Sequence, residues 1–202
     1  RDRPGLPQQQ SRGFPPKDVA LLEPPDRDVW QRPEQIMDAM GIAEGSIVAD
    51  LGAGGGWFTV RLARRVGPNG RVYAEDVQPE MINSIKRRTT LEGLNNVETR
   101  LGTDTDPRLP RNALDAVLIV DSFHEVEKPV LLLRNLALSL KPDGRIGIVD
   151  FTKDGGGPGG AIEERIDPES VIRSAEGAGL QLLKRETFLR YQYMLVFGKR
   201  RP

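Results

Sequence analysis

Continuously apolar runs alternate with amphipathic stretches along most of the chain, and the two patterns predict different elements. The run Leu114–Val120 (LDAVLIV) is apolar almost throughout, which is typical of a strand covered on both faces. Trp57–Val66 instead places apolar residues on one face of a helix, and Gly67 ends it. The same reasoning predicts seven strands, at Ile47–Leu51, Arg71–Asp76, Val97–Leu101, Leu114–Val120, Arg145–Phe151, Leu180–Phe188 and Tyr191–Phe197.

The predicted helices fall between these strands. One begins at Pro33 and ends at Gly41, and another begins directly after the N-cap residue Asp167. The others are Trp57–Val66, Pro79–Leu91 and Pro129–Leu140, the last stopped by the turn at residues 141–144. Alternating strands and helices with short loops predict an α/β fold. We expect a Rossmann-like, mostly parallel seven-stranded sheet with helices on both faces and a C-terminal antiparallel hairpin.

The N-terminal segment differs from the rest. Residues 1–33 hold 7 of the 16 prolines and the run Gln8–Gln10, a composition that favours an extended or partly disordered arm. We therefore divide the chain into an arm at residues 1–29 and one folded domain at residues 30–202.

Composition excludes several classes. Lys plus Arg equals Asp plus Glu at 29 each, so charge gives no support for a nucleic-acid partner. No apolar run is long enough to span a membrane. The chain has no cysteine, and HEVEK is not the zinc motif HExxH, so we expect no metal. A cytoplasmic location is the default expectation. An exported mature form stays open because the chain opens on Arg1 and a proline-rich arm.

The stretch VADLGAGGGWFT, residues 48–59, joins a predicted strand to a predicted helix through a glycine-rich turn. In open α/β sheets ligands bind at the carboxyl ends of strands, and glycine lets the backbone approach them closely. A second acid, Asp76, ends the next strand 20 residues after Gly56, where an acid holds ribose hydroxyls. These residues predict a site for a cofactor that contains a nucleoside.

The form of the turn narrows the cofactor class. The dinucleotide motif needs glycines spaced G-x-G-x-x-G, but Trp57 stands where the third would follow Gly52 and Gly54. There is no G-K-[ST], so the phosphate loop of NTPases is also absent. Asp50 stands at the strand tip, where it would repel a diphosphate and would suit a ligand with positive charge.

Four segments resemble the class I S-adenosylmethionine-dependent methyltransferases. VADLGAGGGWFT resembles the first motif of that family, and GRVYAEDVQPEM, residues 70–81, resembles its second strand with an acidic tip. LDAVLIVDSFHEV, residues 114–126, and LKPDGRIGIVDF, residues 140–151, resemble its fourth and fifth strands. The resemblance covers roughly residues 30–198, and it is strongest for the branch that includes ubiquinone-biosynthesis-type enzymes and many bacterial members.

The resemblance implies S-adenosylmethionine as the cofactor and S-adenosylhomocysteine as its product. It implies that Asp50 fixes the amino-acid end, Asp76 holds the ribose hydroxyls, and Asp121 lies beside the methionine portion. Thr103 stands where the family often has an acid for the adenine amino group, so Thr103 and Asp104 are alternatives for that contact. The implied cofactor-binding residues are Asp50, Gly52, Ala53, Gly54, Gly56, Asp76, Val77, Met81, Thr103, Asp104 and Asp121.

His124, the only histidine, follows the predicted fourth strand on the ligand side of the sheet. Its ordinary pKa suits a general base or an acceptor contact near neutrality, with a structural role as the alternative. The resemblance implies that the stretch with Glu164 and Arg165 helps to close an acceptor pocket, against the alternative of a solvated turn. Trp30 and Tyr193 are further candidate acceptor contacts, with packing on the core as their alternative. The predicted catalytic residues are His124 and Asp121.

The predicted function is methyl transfer from S-adenosylmethionine to a small-molecule acceptor by in-line displacement. A sulfonium already activates its methyl group, so the protein mainly supplies proximity and alignment. Two alternatives stay open: a non-catalytic module that binds the same cofactor or its product, and a nicotinamide-dependent oxidoreductase with the same strand and helix layout.

Overall fold

The computed structural model describes residues 26–202, so residues 1–25 of the predicted arm lie outside the described residues. The described chain forms one seven-stranded sheet covered by helices. The helices are α1 (Arg27–Gln31), α2 (Pro33–Ala39), α3 (Trp57–Val66), α4 (Pro79–Leu91), α5 (Pro129–Ser139) and α6 (Pro168–Gly177). The strands are β1 (Ile47–Leu51), β2 (Arg71–Asp76), β3 (Val97–Leu101), β4 (Leu114–Val120), β5 (Leu140–Phe151), β6 (Leu180–Glu186) and β7 (Gln192–Lys199).

The sheet has the strand order β3-β2-β1-β4-β5-β7-β6. Strands β1 to β5 run parallel to one another, whereas β7 is antiparallel to both β5 and β6. This arrangement confirms the predicted fold class, including the C-terminal hairpin. The order of the strands reverses between β1 and β4, which is the place where open α/β sheets bind their ligands.

Both faces of the sheet are buried, as the apolar runs predicted. Along β4, Val117 and Ile119 belong to a core cluster that includes residues of α5 and α6. Ala116, Leu118 and Val120, which point to the opposite face, belong to a second cluster with residues of α2 and α3. A strand that lies between two cores needs apolar residues at every position, and this accounts for the unbroken run.

The junction between α5 and β5 differs from the prediction. Helix α5 ends at Ser139, one residue early, and β5 already begins at Leu140. Leu140 pairs with Leu114 of β4, and the next pair joins Arg145 to Ala116. The predicted turn at residues 141–144 is therefore an irregularity inside β5. Leu140 before it and Arg145 after it both pair with residues of β4.

Helix α1 begins inside the stretch predicted as an arm. It is short, and Arg32 ends it with a φ of 49° before α2 starts at Pro33, as predicted. Arg27 and Gln31 of α1 are both buried. Their side chains bind Asp121, which follows β4, and Gln192, which begins β7. The predicted boundary between residues 29 and 30 therefore falls inside a helix that is attached to the domain.

Candidate active site

A cavity of about 370 Å³ opens at the carboxyl ends of β1, β2, β4 and β5. Its size is within the range of small-molecule sites. The structure brings to its lining nine of the residues predicted from the sequence: Trp30, Asp50, Gly52, Ala53, Gly54, Asp76, Asp121, His124 and Glu164. Residues that are far apart in the chain therefore meet at the point where the strand order reverses.

The glycine-rich turn forms one wall of this cavity. Gly52 and Gly54 have φ angles of 69° and 57°, in the left-handed region that favours glycine. A Cβ atom on Gly52 would lie 2.7 Å from Ser122 Oγ, so a larger residue would collide as well as strain the backbone. The backbone N–H of Gly54 donates to Asp76 Oδ2 at 3.0 Å, which ties the turn to the tip of β2.

The carboxyl group of Asp50 is buried behind the turn. It accepts a hydrogen bond from Thr59 Oγ1 at 2.8 Å. Burial raises the pKa of Asp50 to about 6, because low-dielectric surroundings disfavour the charged form, and the hydrogen bond from Thr59 offsets only part of this effect. Ionising Asp50 is therefore costly even though the positive charge of Arg27 lowers its pKa in part.

Asp121 belongs to a closed ring of four side chains. It follows β4 with a φ of 59°, which is uncommon for a residue other than glycine. Its Oδ1 accepts from Gln192 Nε2, and its Oδ2 lies 3.3 Å from Arg27 Nη2. Gln31 Nε2 donates to Gln192 Oε1 at 2.5 Å, and Arg27 Nε donates to Gln31 Oε1 at 3.3 Å. The ring fastens α1 to β7 and to the tip of β4.

Burial also dominates the electrostatics of Asp121. It raises the pKa of Asp121 to about 6, although the positive charge of Arg27 and the hydrogen bond from Gln192 act in the opposite direction. The negative charge of Asp150 adds to the increase. Asp50 and Asp121 are thus two carboxyl groups beside one cavity whose ionised forms are both disfavoured in the ligand-free protein.

Two guanidinium groups lie against the indole ring of Trp57 at the cavity wall. The Arg27 guanidinium carbon lies 4.1 Å from the ring centroid, and that of Arg61 lies 3.6 Å from it. Arg61 also forms an ion pair with Asp28 of α1 at 2.9 Å. Cation–π contacts of this kind hold the Arg27 side chain in a fixed orientation toward the cavity.

His124 lies in the single helical turn after β4, and its ring binds a buried carboxylate. His124 Nδ1 lies 3.1 Å from Asp150 Oδ1 and 3.0 Å from Asp150 Oδ2. Burial alone would lower the pKa of His124, but the hydrogen bond to Asp150 and its negative charge outweigh burial, so the pKa is raised. The raised pKa makes the imidazole of His124, which lines the cavity, a stronger base than an ordinary histidine.

The loop after β5 covers one side of the cavity, and Arg165 fixes its shape. The Arg165 guanidinium donates to the carbonyl oxygens of Gly160 at 2.9 Å, Thr152 at 3.0 Å and Gly156 at 3.1 Å. Glu164 lies in the cavity lining, whereas Arg165 is buried in the loop behind it. Of the two residues predicted for the acceptor pocket, Glu164 therefore lines the cavity and Arg165 holds the loop.

Seven predicted site residues lie outside the cavity lining: Gly56, Val77, Met81, Thr103, Asp104, Arg165 and Tyr193. Met81 is fully buried on α4, and Thr103 and Asp104 are exposed beyond β3. The Tyr193 hydroxyl donates to the Ile166 carbonyl at 2.9 Å, and its ring packs in the core, which is the packing alternative for this residue. Their roles in binding stay predictions.

Several lining residues were not among the sequence candidates: Arg27, Gly55, Trp57, Phe58, Val120, Ser122, Glu125, Phe151, Pro158, Gly159 and Gly160. Asp150, which binds His124, was also missed. A signal for Asp150 was present, because it is an acid near the end of a strand, as Asp50 and Asp76 are. Nothing in the local sequence pattern indicated Arg27 or Gln192, because their contacts with Asp121 join segments that are far apart in the chain.

Residues 48–144 match the model of a family described as a methyltransferase domain. The ubiquinone/menaquinone biosynthesis C-methyltransferase of Hydrogenovibrio crunogenus is 31% identical over 126 residues, which are 62% of this chain and 49% of that protein. The nocamycin O-methyltransferase of Saccharothrix syringae is 30% identical over 145 residues, or 68% of this chain and 52% of that protein. The chain thus spans about half the length of the curated relatives it matches.

A crystal structure of a SAM-dependent methyltransferase from Aquifex aeolicus superimposes with a TM-score of 0.87 and is 30% identical in sequence. The match covers 91% of this chain and 98% of that chain. The chain belongs to the SAM-dependent methyltransferases. This family assignment confirms the resemblance. It favours the methyltransferase interpretation over the alternative of a nicotinamide-dependent oxidoreductase. Among residues 26–202 of this methyltransferase domain, no helix has the length and apolar character needed to cross a membrane.

Proposed function

We propose that this domain binds S-adenosylmethionine in the cavity and transfers its methyl group to a small organic acceptor. The observation that carries the proposal is the convergence of Asp50, Asp76 and Asp121 on one cavity beside a glycine-rich turn. Membership of the methyltransferase family supports the same cofactor.

The residues present fit a ligand with positive charge and a ribose. Burial raises the pKa of both Asp50 and Asp121 to about 6, so a nearby ammonium or sulfonium would favour their ionised forms. Asp76 would hold the ribose hydroxyls, and its link to Gly54 would keep the turn close to the ligand. Arg27, which lines the same cavity, would pair with the carboxylate of the amino-acid end.

The proposed mechanism needs alignment more than chemical activation. When bound, S-adenosylmethionine supplies a methyl group on a positive sulfur, which an acceptor atom displaces in line. The ring that joins Arg27, Gln31, Gln192 and Asp121 fixes α1 as one wall of the site. His124 would receive a proton from the acceptor. Asp150 binds one edge of its imidazole, and His124 also lines the cavity, which supports this role.

A small organic acceptor is supported by the cavity and by the relatives. The cavity is of a size that suits a small molecule, and aromatic rings of Trp30, Trp57 and Phe151 line it. The two curated relatives are named for transfer to carbon in ubiquinone and menaquinone biosynthesis and for transfer to oxygen in nocamycin. These names support an organic acceptor for this chain without deciding whether carbon or oxygen is methylated.

A thermal-shift panel with S-adenosylmethionine, S-adenosylhomocysteine, NAD, NADP and ATP tests the proposal. A ligand present at 100 times its Kd should add about 2.7 kcal/mol to the free energy of unfolding, which corresponds to several degrees. We expect this shift with the two adenosyl ligands, and we expect Asp76→Asn to abolish it. The control is Asp143→Asn, which changes an exposed carboxyl group that forms an ion pair with Arg201.

Two results would contradict the proposal. One is a shift with NAD or NADP alone, which would indicate a nicotinamide cofactor. The other is the absence of a shift with either adenosyl ligand in a folded protein. Binding without any S-adenosylhomocysteine release in the presence of organic acceptors would instead favour a non-catalytic module that holds the cofactor.

A further inference from the structure

Asp150 holds the ring of His124 from a buried position at the end of β5. Its carboxylate is only 1% exposed. Oδ2 accepts the backbone N–H of His124 at 3.1 Å, and Oδ1 accepts that of Phe151 at 2.9 Å. Both oxygens also lie within 3.1 Å of His124 Nδ1. The carboxylate thus has a fixed orientation, with its oxygens directed toward one edge of the imidazole.

This arrangement selects one tautomer of the neutral histidine. Both oxygens of Asp150 accept backbone N–H groups, and a carboxylate can only accept hydrogen bonds. Nδ1 of His124 must then carry the ring proton, so Nε2 has the free lone pair. His124 lines the cavity while its Nδ1 edge is covered by the buried Asp150, which leaves the Nε2 edge for a ligand.

Further charged groups surround the imidazole. Glu125 Oε1, from the same helical turn, lies 3.6 Å from Nε2. Asp121, at the tip of β4, contributes a smaller attraction, and Arg27 of α1 pairs with Asp121. Glu164 from the loop after β5 lines the same cavity. The negative groups favour the imidazolium, so a proton taken up at Nε2 is stabilised after transfer.

The aromatic part of the cavity lining suits a flat conjugated molecule. The rings of Trp30 and Phe151 lie with their centroids 5.7 Å apart, and both line the cavity with Trp57 and Phe58. Aromatic side chains bind planar rings through stacked or edge contacts. A histidine can take the proton only from a hydroxyl that is acidic enough to transfer it, and conjugation makes a hydroxyl more acidic. A histidine base next to these rings therefore fits an acceptor with a conjugated hydroxyl.

We propose that Asp150 is the positioning residue for His124 as a general base, and that the acceptor is a phenol or an enol. The proposal rests on the function proposed above and adds to it the residue that sets the tautomer and the chemical class of the acceptor.

The proton and electrons of the step balance. The O–H bond of the acceptor breaks as its proton moves to His124 Nε2, which leaves an imidazolium and an oxyanion. An electron pair of this anion forms the new bond to the methyl carbon. The carbon–sulfur bond breaks, and the sulfur keeps that pair as a neutral thioether. In an enolate the carbon end can form the bond instead, so methylation on carbon and on oxygen share the same proton transfer.

His124 is the only histidine, so nitrogen NMR of the imidazole tests the positioning role without any acceptor. In the wild-type protein we expect the neutral form to carry its proton on Nδ1. In Asp150→Asn we expect the pKa of His124 to fall by about one pH unit or more, because a facing negative charge is lost. Asp143→Asn, which changes a remote exposed carboxyl group, should leave the pKa unchanged. A proton on Nε2 in the neutral wild-type form would overturn the proposal, even if Asp150→Asn fails to fold.

Absorbance of 4-nitrophenol, recorded with S-adenosylhomocysteine present, tests the acceptor class. In the wild-type protein we expect the bound probe to show the phenolate band below its solution pKa, together with protonation of His124. In Asp150→Asn the same band should need a higher pH. Identical bands in the two proteins would overturn the positioning role. A wild-type probe that stays neutral, or that gives no spectral change at millimolar concentration, would overturn the phenol or enol class.

Calorimetry with S-adenosylhomocysteine separates the two proposals. If the product binds but the tautomer or the probe result fails, the proposed function stands and this inference is wrong. If the product does not bind, the proposed function fails, and the NMR tautomer still decides whether Asp150 positions His124.

Discussion

Three of the acidic residues at the cavity are each held by a donor from a different element. Thr59 of α3 donates to Asp50, the glycine turn donates to Asp76, and Gln192 of β7 donates to Asp121. The sequence showed where the acids would be, since each follows or ends a predicted strand. It could not show the donors, because the hydrogen bonds that Gln192 and Arg27 donate to Asp121 depend on how distant segments pack.

The affinity for S-adenosylmethionine should depend on pH through these carboxyl groups. Burial raises the pKa of Asp50 and of Asp121 to about 6, so both are largely protonated at pH 5 in the free protein. A cationic ligand binds the ionised forms, and binding must then release protons. We expect the Kd at pH 5 to be about ten-fold or more above that at pH 7.

Calorimetry in two buffers with different ionisation enthalpies would count the released protons. Asp50→Asn should reduce both the proton count and the pH dependence, whereas Asp143→Asn should change neither. An affinity that is constant from pH 5 to pH 7 would show that the ligand does not interact with these carboxyl groups.

Replacing Gly52 by alanine should cost more stability than a matched change at Gly93. Both glycines have positive φ angles, 69° and 68°, so an alanine at either position loses about 1–2 kcal/mol of backbone energy. At Gly93 nothing lies within 4 Å of the added Cβ, whereas at Gly52 it meets Ser122 Oγ at 2.7 Å. Urea unfolding should show the larger loss for Gly52→Ala, and only that variant should also weaken ligand binding. Equal losses would mean that Ser122 moves away freely.

At the scale of elements, the apolar periodicity correctly predicted the interior of every strand and of the helices α2 to α6. The bounds of β1 to β4 agree with the prediction because glycine, proline and charged residues mark their ends. The start of β5 and the existence of α1 were not predictable in the same way. Leu140 joins the sheet through its pairing with Leu114, and α1 is held by the buried side chains of Arg27 and Gln31.

The start of α6 gives a prediction about one capping group. Asp167 Oδ1 accepts the backbone N–H of Glu169 at 2.8 Å, as the N-cap pattern before Pro168 predicted. Asp167→Ala should lower the free energy of unfolding by about 1 kcal/mol, because this N–H loses its acceptor. Asp167→Asn keeps an acceptor oxygen and should retain most of the stability. Equal losses in urea unfolding for the two variants would contradict the capping role.

At the scale of the whole molecule, the cavity joins segments from both ends of the domain. The mostly parallel sheet follows from the alternation of elements and was predicted from the sequence together with its C-terminal hairpin. The attachment of α1 to Asp121 and Gln192 was not, because four polar side chains form it and no apolar period marks them. The site also holds three groups whose pKa values are raised together: Asp50, Asp121 and His124.

The stability of the ligand-free protein should therefore decrease as the pH rises from 5 to 8. A group with a raised pKa in the folded state binds more protons there than in the unfolded chain, so folding is favoured at lower pH. For Asp50 and Asp121 this advantage is lost between about pH 4 and 6. For His124 it is lost as the pH rises past its ordinary value toward the raised one.

Each of the two aspartates should contribute roughly 3 kcal/mol at most, from a pKa difference of about two pH units. Urea unfolding across this pH range measures the effect, and Asp50→Asn should make the curve shallower. A stability that increases steadily from pH 5 to pH 8 would show that carboxyl groups elsewhere dominate. Saturating S-adenosylmethionine should flatten the curve, since a bound cation favours the ionised carboxylates.

The position of the aromatic side chains has an optical consequence. The protein has two tryptophans, Trp30 and Trp57, and both lie in the cavity lining. Trp57 is in contact with the guanidinium groups of Arg27 and Arg61, and Trp30 lies against Phe151. Ultraviolet emission from the indole rings therefore originates at the site alone. Rapid-mixing fluorescence can follow the entry of ligand and the departure of product in real time, with no label attached to the protein.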